Sequence, residues 1–259
     1  MTSTPSRDFI QSLEKGLAVI NSFSSERSAQ TLSEVADLTG LTRATARRVL
    51  LTLSELGYVS QNNRTFSLTP KVLDLGYSFL SSLRVVEIAQ QPMERLVEEV
   101  KESSSMSVLD GLDIVYVARV PTKRIMTIAL ALGSRLPAYP TSMGRVLLAG
   151  KTRPELDEYI AGTRFEQLTR HTIVDESEFR AVIDRVREDG YALVDQELEE
   201  GVRSIAAPII NRDLEVIAAM NVSCHASRVS VATMRKELRP RLLATADEIS
   251  RTATTLPRV

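Results

Sequence analysis

The fold is decided by Leu32-Ser33-Glu34-Val35-Ala36-Asp37-Leu38-Thr39-Gly40-Leu41-Thr42-Arg43-Ala44-Thr45-Ala46-Arg47-Arg48-Val49-Leu50-Leu51, which carries two helical signals parted by one glycine. Thr31-x-x-Glu34 is a capping box ahead of a first helix, Leu32–Thr39, whose Val35, Ala36 and Leu38 face inward. Gly40 supplies positive φ at no steric cost, and Thr42 can cap a second helix that runs to Leu56. Ala46, Val49, Leu50, Leu53 and Leu56 recur at steps of three and four and make its buried face, leaving Arg43, Thr45, Arg47 and Arg48 elsewhere.

Working outward, Ser12–Phe23 places Leu13, Leu17, Ile20 and the flanking Val19 at helical spacing, which predicts one apolar stripe. Downstream of Gly57, the runs Tyr58–Ser60 and Thr65–Leu68 alternate around Gln61-Asn62-Asn63-Arg64, a hairpin signal. Three short helices and a two-stranded wing give a winged helix-turn-helix over residues 9–70, with Pro70 at its end.

The 259 residues suffice for one large domain or two modest ones. An apolar share of 43% and a charged share of 25%, with only 11 Gly and 10 Pro, describe an ordinary globular chain and exclude a fibrous or low-complexity one. Cys224 is the single cysteine and His171 and His225 the two histidines, so neither an internal disulfide nor a His/Cys zinc site is expected. The start of the chain has no apolar core of a signal peptide, and no apolar run approaches the roughly 20 residues of a membrane helix, so a cytoplasmic protein without membrane contact is expected.

Net charge is −1, but its distribution is uneven: residues 41–71 carry +4, leaving −5 for the rest. A short basic segment in an acidic chain suits one face that meets phosphate while the remainder avoids it.

From Lys71 the helical period resumes through Val72, Leu75, Phe79 and Leu83, a linker helix over 71–84, and again over Val85–Glu102, where Pro92 predicts a kink or a fresh start near Gln91. A second domain over 85–256 then reads as mixed. Met106–Leu109 and Ile114–Val120 form a hairpin around Asp110-Gly111, and Ile125–Leu132 a third strand. Helices are expected at Ser142–Ala149, at Asp175–Asp189 before Gly190, and at Ser230–Thr252; strands are expected at Tyr191–Asp195, Ser204–Ile210 and Glu215–Ser223. Short turns between strands favour an α+β antiparallel sheet over a doubly wound parallel one.

In a helix-turn-helix the second helix enters the major groove with its N-terminal residues nearest the bases. Thr42, Arg43 and Thr45 then approach base edges or nearby phosphates, Arg47 and Arg48 take a guanine edge or a phosphate, and Arg64 at the wing tip reaches the minor groove or backbone. A glycine turn between helices also occurs in many helical proteins, and exposed arginines often belong to a solvated face. One winged module reads a short half-site, so a homodimer on operator DNA follows, with the stripes of Ser12–Phe23 and of the linker helix available for pairing or for packing within one chain.

Several separated stretches carry a resemblance. Ser12–Ile20, Leu32–Ala36 and Gly40–Leu50, then Leu132–Pro137, Thr141–Ala149 and Gly201–Ile209, in that order, resemble the IclR family of bacterial transcription regulators over nearly the whole chain. Asp8–Glu14 and Val194–Gly201 are similar to the branch that regulates aromatic-acid degradation through protocatechuate and β-ketoadipate. The resemblance implies a GAF-like effector domain, dimers or tetramers, and DNA binding controlled by a small organic acid. It also implies that Ser142, Met143, Asp195, Ser204, Ala206, Asn221 and Ser223 contact the effector. Ser204 stands where family members often carry cysteine, which keeps a hydroxyl donor and changes the shape of the pocket. Independently of the family, Pro140–Gly144 opens a helix whose free N–H groups suit a carboxylate. Ser142 and Asp195 also suit plain capping roles. Arg203 suits either an anionic ligand or an ion pair with Glu197, Glu199 or Glu200.

Enzymatic readings find less support. Cys224 and His225 are neighbours on a strand and point to opposite faces, His171 has no Gly-x-Ser-x-Gly serine to serve, and no phosphate loop, dinucleotide fingerprint or metal motif occurs, so no cofactor is expected. The competing readings are a carboxylate-metabolising enzyme with a fused regulatory domain and a helical adaptor. Turnover of an aromatic acid would mark the former, and partner binding without DNA affinity the latter.

Overall fold

The computed structural model describes residues 8–24, 26–122 and 130–255. Two compact units divide at Ser82/Leu83.

The first unit contains α1 (Gln11–Asn21), β1 (Ala29–Thr31), α2 (Leu32–Thr39), α3 (Arg43–Glu55), β2 (Val59–Asn62), β3 (Thr65–Leu68) and α4 (Leu73–Ser82). The capping box forms as the sequence requires: Thr31 Oγ1 accepts from the Glu34 amide, and Glu34 Oε2 accepts from the Thr31 amide at 2.7 Å. Gly40 closes α2 at φ 67°. Val19, Val35, Ala36, Ala46, Leu50, Leu53, Val59 and Phe66 form the core. The wing has a third strand that alternation did not reveal, because Ala29–Thr31 is too short to show a period: β1 pairs β3 and the sheet order is β1-β3-β2. The hairpin turn is tighter than the sequence suggested, with Asn62 opposite Thr65 and Asn63 at φ 53°, a left-handed conformation Asn tolerates.

Leu13 (60% exposed), Leu17 (48%), Leu38 (45%) and Leu56 (53%) were expected inside and are not. Leu56 lies beyond the last turn of α3, and eight-residue α2 covers only the faces set against α1 and α3. Leu13 and Leu17 line a groove with Val49, Leu56, Tyr58 and Leu75.

In the second unit α5 (Arg84–Val100) runs through Pro92 without a break; buried Val85, Ala89, Met93 and Leu96 fix its inner face. Six antiparallel strands follow in the order β6-β5-β4-β9-β8-β7: β4 (Ser103–Asp110), β5 (Asp113–Val120), β6 (Arg135–Pro137), β7 (Ala192–Asp195), β8 (Val202–Ile210) and β9 (Val216–His225). The β4–β5 turn falls on Gly111-Leu112, one residue later than expected, with Asp110 opposite Asp113. Of the strand expected over Ile125–Leu132, residues 125–129 lie outside the described residues, and Leu130–Leu132 are not in a strand. The helices are α6 (Ser142–Ala149), α7 (Arg153–Gly162), which sequence periodicity missed, α8 (Glu176–Asp189), α9 (Val231–Thr233) and α10 (Arg239–Thr255). A π turn, Met234–Leu238, joins the last two, where Pro240 has no N–H to continue the regular ladder.

One face of this sheet is covered by α6. Cross-strand register puts Ser107, Ala219, Asn221, Ser223, Ser204, Ala206 and Val194 on that face, and Asp195, Arg203 and Cys224 on the other. Gly144 lets the loop after β6 fold back against α6, since a Cβ there would stand 2.0 Å from the Ala138 carbonyl oxygen.

Candidate functional site

Thr42 caps α3: its Oγ1 accepts from the Thr45 amide at 3.2 Å and shares a hydrogen bond with Thr45 Oγ1 at 2.9 Å. Arg43 and Arg47 follow one turn apart, both exposed, while Thr45 and Arg48 line the groove shared with α1. Arg64 is exposed at the hairpin turn. None of the four arginines forms an ion pair or a side-chain hydrogen bond with any described residue. Lys71 differs: its Nζ donates to the Leu56 carbonyl at 2.9 Å and lies 5.1 Å from the Tyr58 ring centre, so it closes the C-terminus of α3.

In the second unit, Thr141 caps α6 by accepting from the Gly144 amide at 3.0 Å, while the amides of Ser142 and Met143 carry no bond to the described residues. They open on a small cleft, about 470 Å³ including its mouth, whose walls include Ser142, Met143, Ser204, Asn221 and Ser223. Ser142 Oγ and Ser204 Oγ are 2.8 Å apart. Asn221 Oδ1 accepts from the Ser105 amide at 3.1 Å, which fixes the side-chain amide. Pro140, Val194, Leu198 and Val202 supply apolar wall.

Two expected residues fall outside this lining. Ala206 shares the face but is fully buried in the core beneath it. Asp195 is on the opposite face, where its carboxylate accepts from Arg203 Nε at 2.7 Å and Nη2 at 2.9 Å. That hydrogen-bonded guanidinium holds the Asp195 carboxyl below the usual carboxylate range. Arg203 also donates to the Val229 carbonyl, so its partner is none of the three glutamates considered from sequence. Glu197 instead takes two bonds from Arg145, 2.7 and 2.5 Å, in a pair whose side chains are 3% and 8% exposed.

Sequence reading missed Tyr116 in the cleft wall. Ile114 to Ala118 is an unbroken apolar run, so alternation gave it no face. Cys224 is buried with its thiol pushed up to about 12 by burial, while His225 on the opposite face is exposed and bonds Ser227 Oγ at 2.7 Å. Among the described residues no cluster of three His, Cys, Asp or Glu could hold a metal ion, and no helix is long and apolar enough to cross a membrane.

A winged bundle whose arginines pair with no described residue, carried on the same chain as a sheet domain with a polar cleft, has the arrangement of a DNA-binding transcriptional regulator with an effector-binding domain. Residues 12–63 match the IclR helix-turn-helix domain and residues 77–251 the bacterial transcriptional regulator IclR C-terminal domain. The chain belongs to the IclR family. It is 42% identical over 243 residues to the Pca regulon regulatory protein of Pseudomonas putida, covering 93% of this chain and 84% of that protein. Its fold superposes with TM-score 0.86 on a solved Rhodococcus sp. RHA1 protein, 53% identical, over 95% of this chain and 98% of the other. The inducer-binding domain of the transcription factor PobR from Acinetobacter, a double mutant in complex with 3-hydroxybenzoic acid, is 34% identical with TM-score 0.61, over 64% of this chain and 97% of that one.

Proposed function

We propose that the chain, as a homodimer or a pair of dimers in the cytoplasm, binds a specific double-stranded operator through the N-terminal half of α3 and the wing. A small organic acid in the α6 cleft controls that binding, in the breakdown of aromatic compounds by the protocatechuate/β-ketoadipate route. The winged module spans residues 9–70, the linker 71–84 and the effector domain 85–256. Thr42, Arg43, Thr45, Arg47, Arg48 and Arg64 meet the DNA; Ser142, Met143, Ser204, Asn221 and Ser223 meet the acid. Asp195 and Ala206 support these from behind.

The observation that carries this reading is the set of four guanidiniums without a described partner in a unit whose Glu34 is spent on a helix cap. Exposed cations on a helix answer phosphate or a guanine edge. The exposed stripe of Leu13, Leu17 and Leu75 supports pairing with a second copy. The Pseudomonas and Acinetobacter relatives support the aromatic-acid setting. The acid acts by binding one arrangement of the DNA-binding units better than another.

Footprinting upstream of the chain's own gene, with and without 4-hydroxybenzoate or protocatechuate, tests the proposal. A protected palindrome or repeat whose occupancy shifts with acid is expected. Equal affinity for that segment and random DNA at moderate salt would refute the operator claim, and an acid-insensitive footprint the control claim.

A further inference from the structure

The β4–β5 ladder slips by one residue between Met106 and Ser107. Met106 pairs with Ala118 and Ser107 with Tyr116, so Val117 is the extra residue of a β-bulge. Without it, strict alternation would leave Tyr116 on the same face as Ala118, away from α6. The bulge turns Tyr116 onto the face that carries Asn221 and Ser223, into the wall of the cleft. Its backbone is clamped there: the Tyr116 amide donates to the Ser134 carbonyl at 3.0 Å, and the Gly133 amide donates to the Tyr116 carbonyl at 2.8 Å. Gly133, at φ 81°, makes the turn that brings both groups to the strand. The Leu132–Pro137 stretch thus has a local task, holding one aromatic side chain at the cleft.

Tyr116 is 5% exposed, yet its hydroxyl has no hydrogen-bond partner among the described residues. A phenol on the wall of a binding cleft has a natural partner in a ligand oxygen. Burial pushes the phenol up to about 12 against the opposing pull of the Arg119 charge, so the group stays a proton donor at any working pH.

We propose that Tyr116 is a specificity-determining residue of the effector cleft: with the carboxylate of the acid at the α6 N-terminus, the phenol donates a hydrogen bond to a second oxygen on the same ligand. This rests on the cleft being the effector site. The second oxygen has two chemical sources, a hydroxyl on a ring or the far carboxylate of a diacid. Register with Ser105 puts Arg119 on the same sheet face, outside the cleft lining, and its charge acts on the phenol, so a far carboxylate bound to Tyr116 would feel the same cation.

Calorimetry on the full chain with benzoate, 4-hydroxybenzoate and adipate tests this in wild type, Tyr116→Phe, Arg119→Met and Ser142→Trp. Tyr116→Phe keeps the ring and removes only a hydroxyl that bonds no described residue, so its thermal midpoint should match wild type. It should weaken 4-hydroxybenzoate or adipate about tenfold, the worth of one hydrogen bond, and leave benzoate unchanged. Loss confined to 4-hydroxybenzoate assigns a hydroxyl; loss confined to adipate, repeated in Arg119→Met, assigns a carboxylate. Equal losses for benzoate and the oxygenated acids, or no loss for any, overturns the role of Tyr116 and leaves the cleft intact as the site. Acid binding undisturbed by Ser142→Trp, or none in wild type, overturns the site itself and the proposal with it.

Discussion

Arginine is used in two opposite ways in the two units. In the first, Arg43, Arg47, Arg48 and Arg64 have no acid partner among the described residues. In the second, Arg145 is sealed against Glu197, Arg203 against Asp195, and Arg135 bridges Asp110 and Asp113. Identical side chains therefore do different work because of what surrounds them. A guanidinium enclosed with its carboxylate fixes one element to another; a guanidinium left in water is available to a visitor. Replacing either kind should expose the difference.

The largest effect belongs to Arg145. Arg145→Leu leaves the Glu197 carboxylate buried without its partner and should cost about 3–5 kcal/mol of unfolding free energy, read by urea titration. Loss of less than about 1 kcal/mol would mean the pair is dispensable and would erase the contrast between the units. Next comes Arg47→Ala. Stability should stay within about 0.5 kcal/mol of wild type, while operator binding weakens by about 1–3 kcal/mol where a base is contacted. A stability loss as large as that of Arg145→Leu would show that Arg47 has a structural partner.

Thr31→Ala sharpens the comparison from the acid side. It removes the cap and should cost about 1 kcal/mol in the stability of the first unit. In the intact cap, the backbone and hydroxyl bonds of Thr31 hold Glu34 below its usual value. The smallest effect concerns Asp195. In the unfolded chain its carboxyl titrates near about 3.9, and in the folded chain lower. The stabilisation is thus complete above the unfolded value and disappears as pH falls through the folded one. In Arg203→Gln, acid unfolding below about pH 4 should lose that component; an unchanged acid limb would show that the pairing contributes nothing.

The sequence made the helix-turn-helix legible because capping boxes, glycine turns and three-four spacing are local signals: Thr31, Gly40 and Thr42 all occupy the positions they announced. The sheet face that holds Ser204, Asn221 and Ser223 was reached through family resemblance; β8 and β9 are buried on both faces, so their composition does not distinguish one face from the other. What stayed hidden depends on partners distant in sequence. Asp195 looked like a ligand contact because nothing local shows that Arg203, eight residues on, lies directly opposite it. Leu13 and Leu17 looked like core because periodicity reports an apolar stripe, not what covers it. Tyr116 was invisible for a third reason: a bulge is a mismatch between two strands, and neither strand alone contains it.

The two hydroxyls at the mouth of α6 carry one more consequence. Ser142 and Ser204 already satisfy one another across the gap between helix and strand. At the proposed site, an acid that takes either hydroxyl competes with that bond and gains only the surplus of its new bonds over the one it breaks. On that proposal, the one bond tying α6 to β8 raises the concentration of acid at which the domain registers its signal.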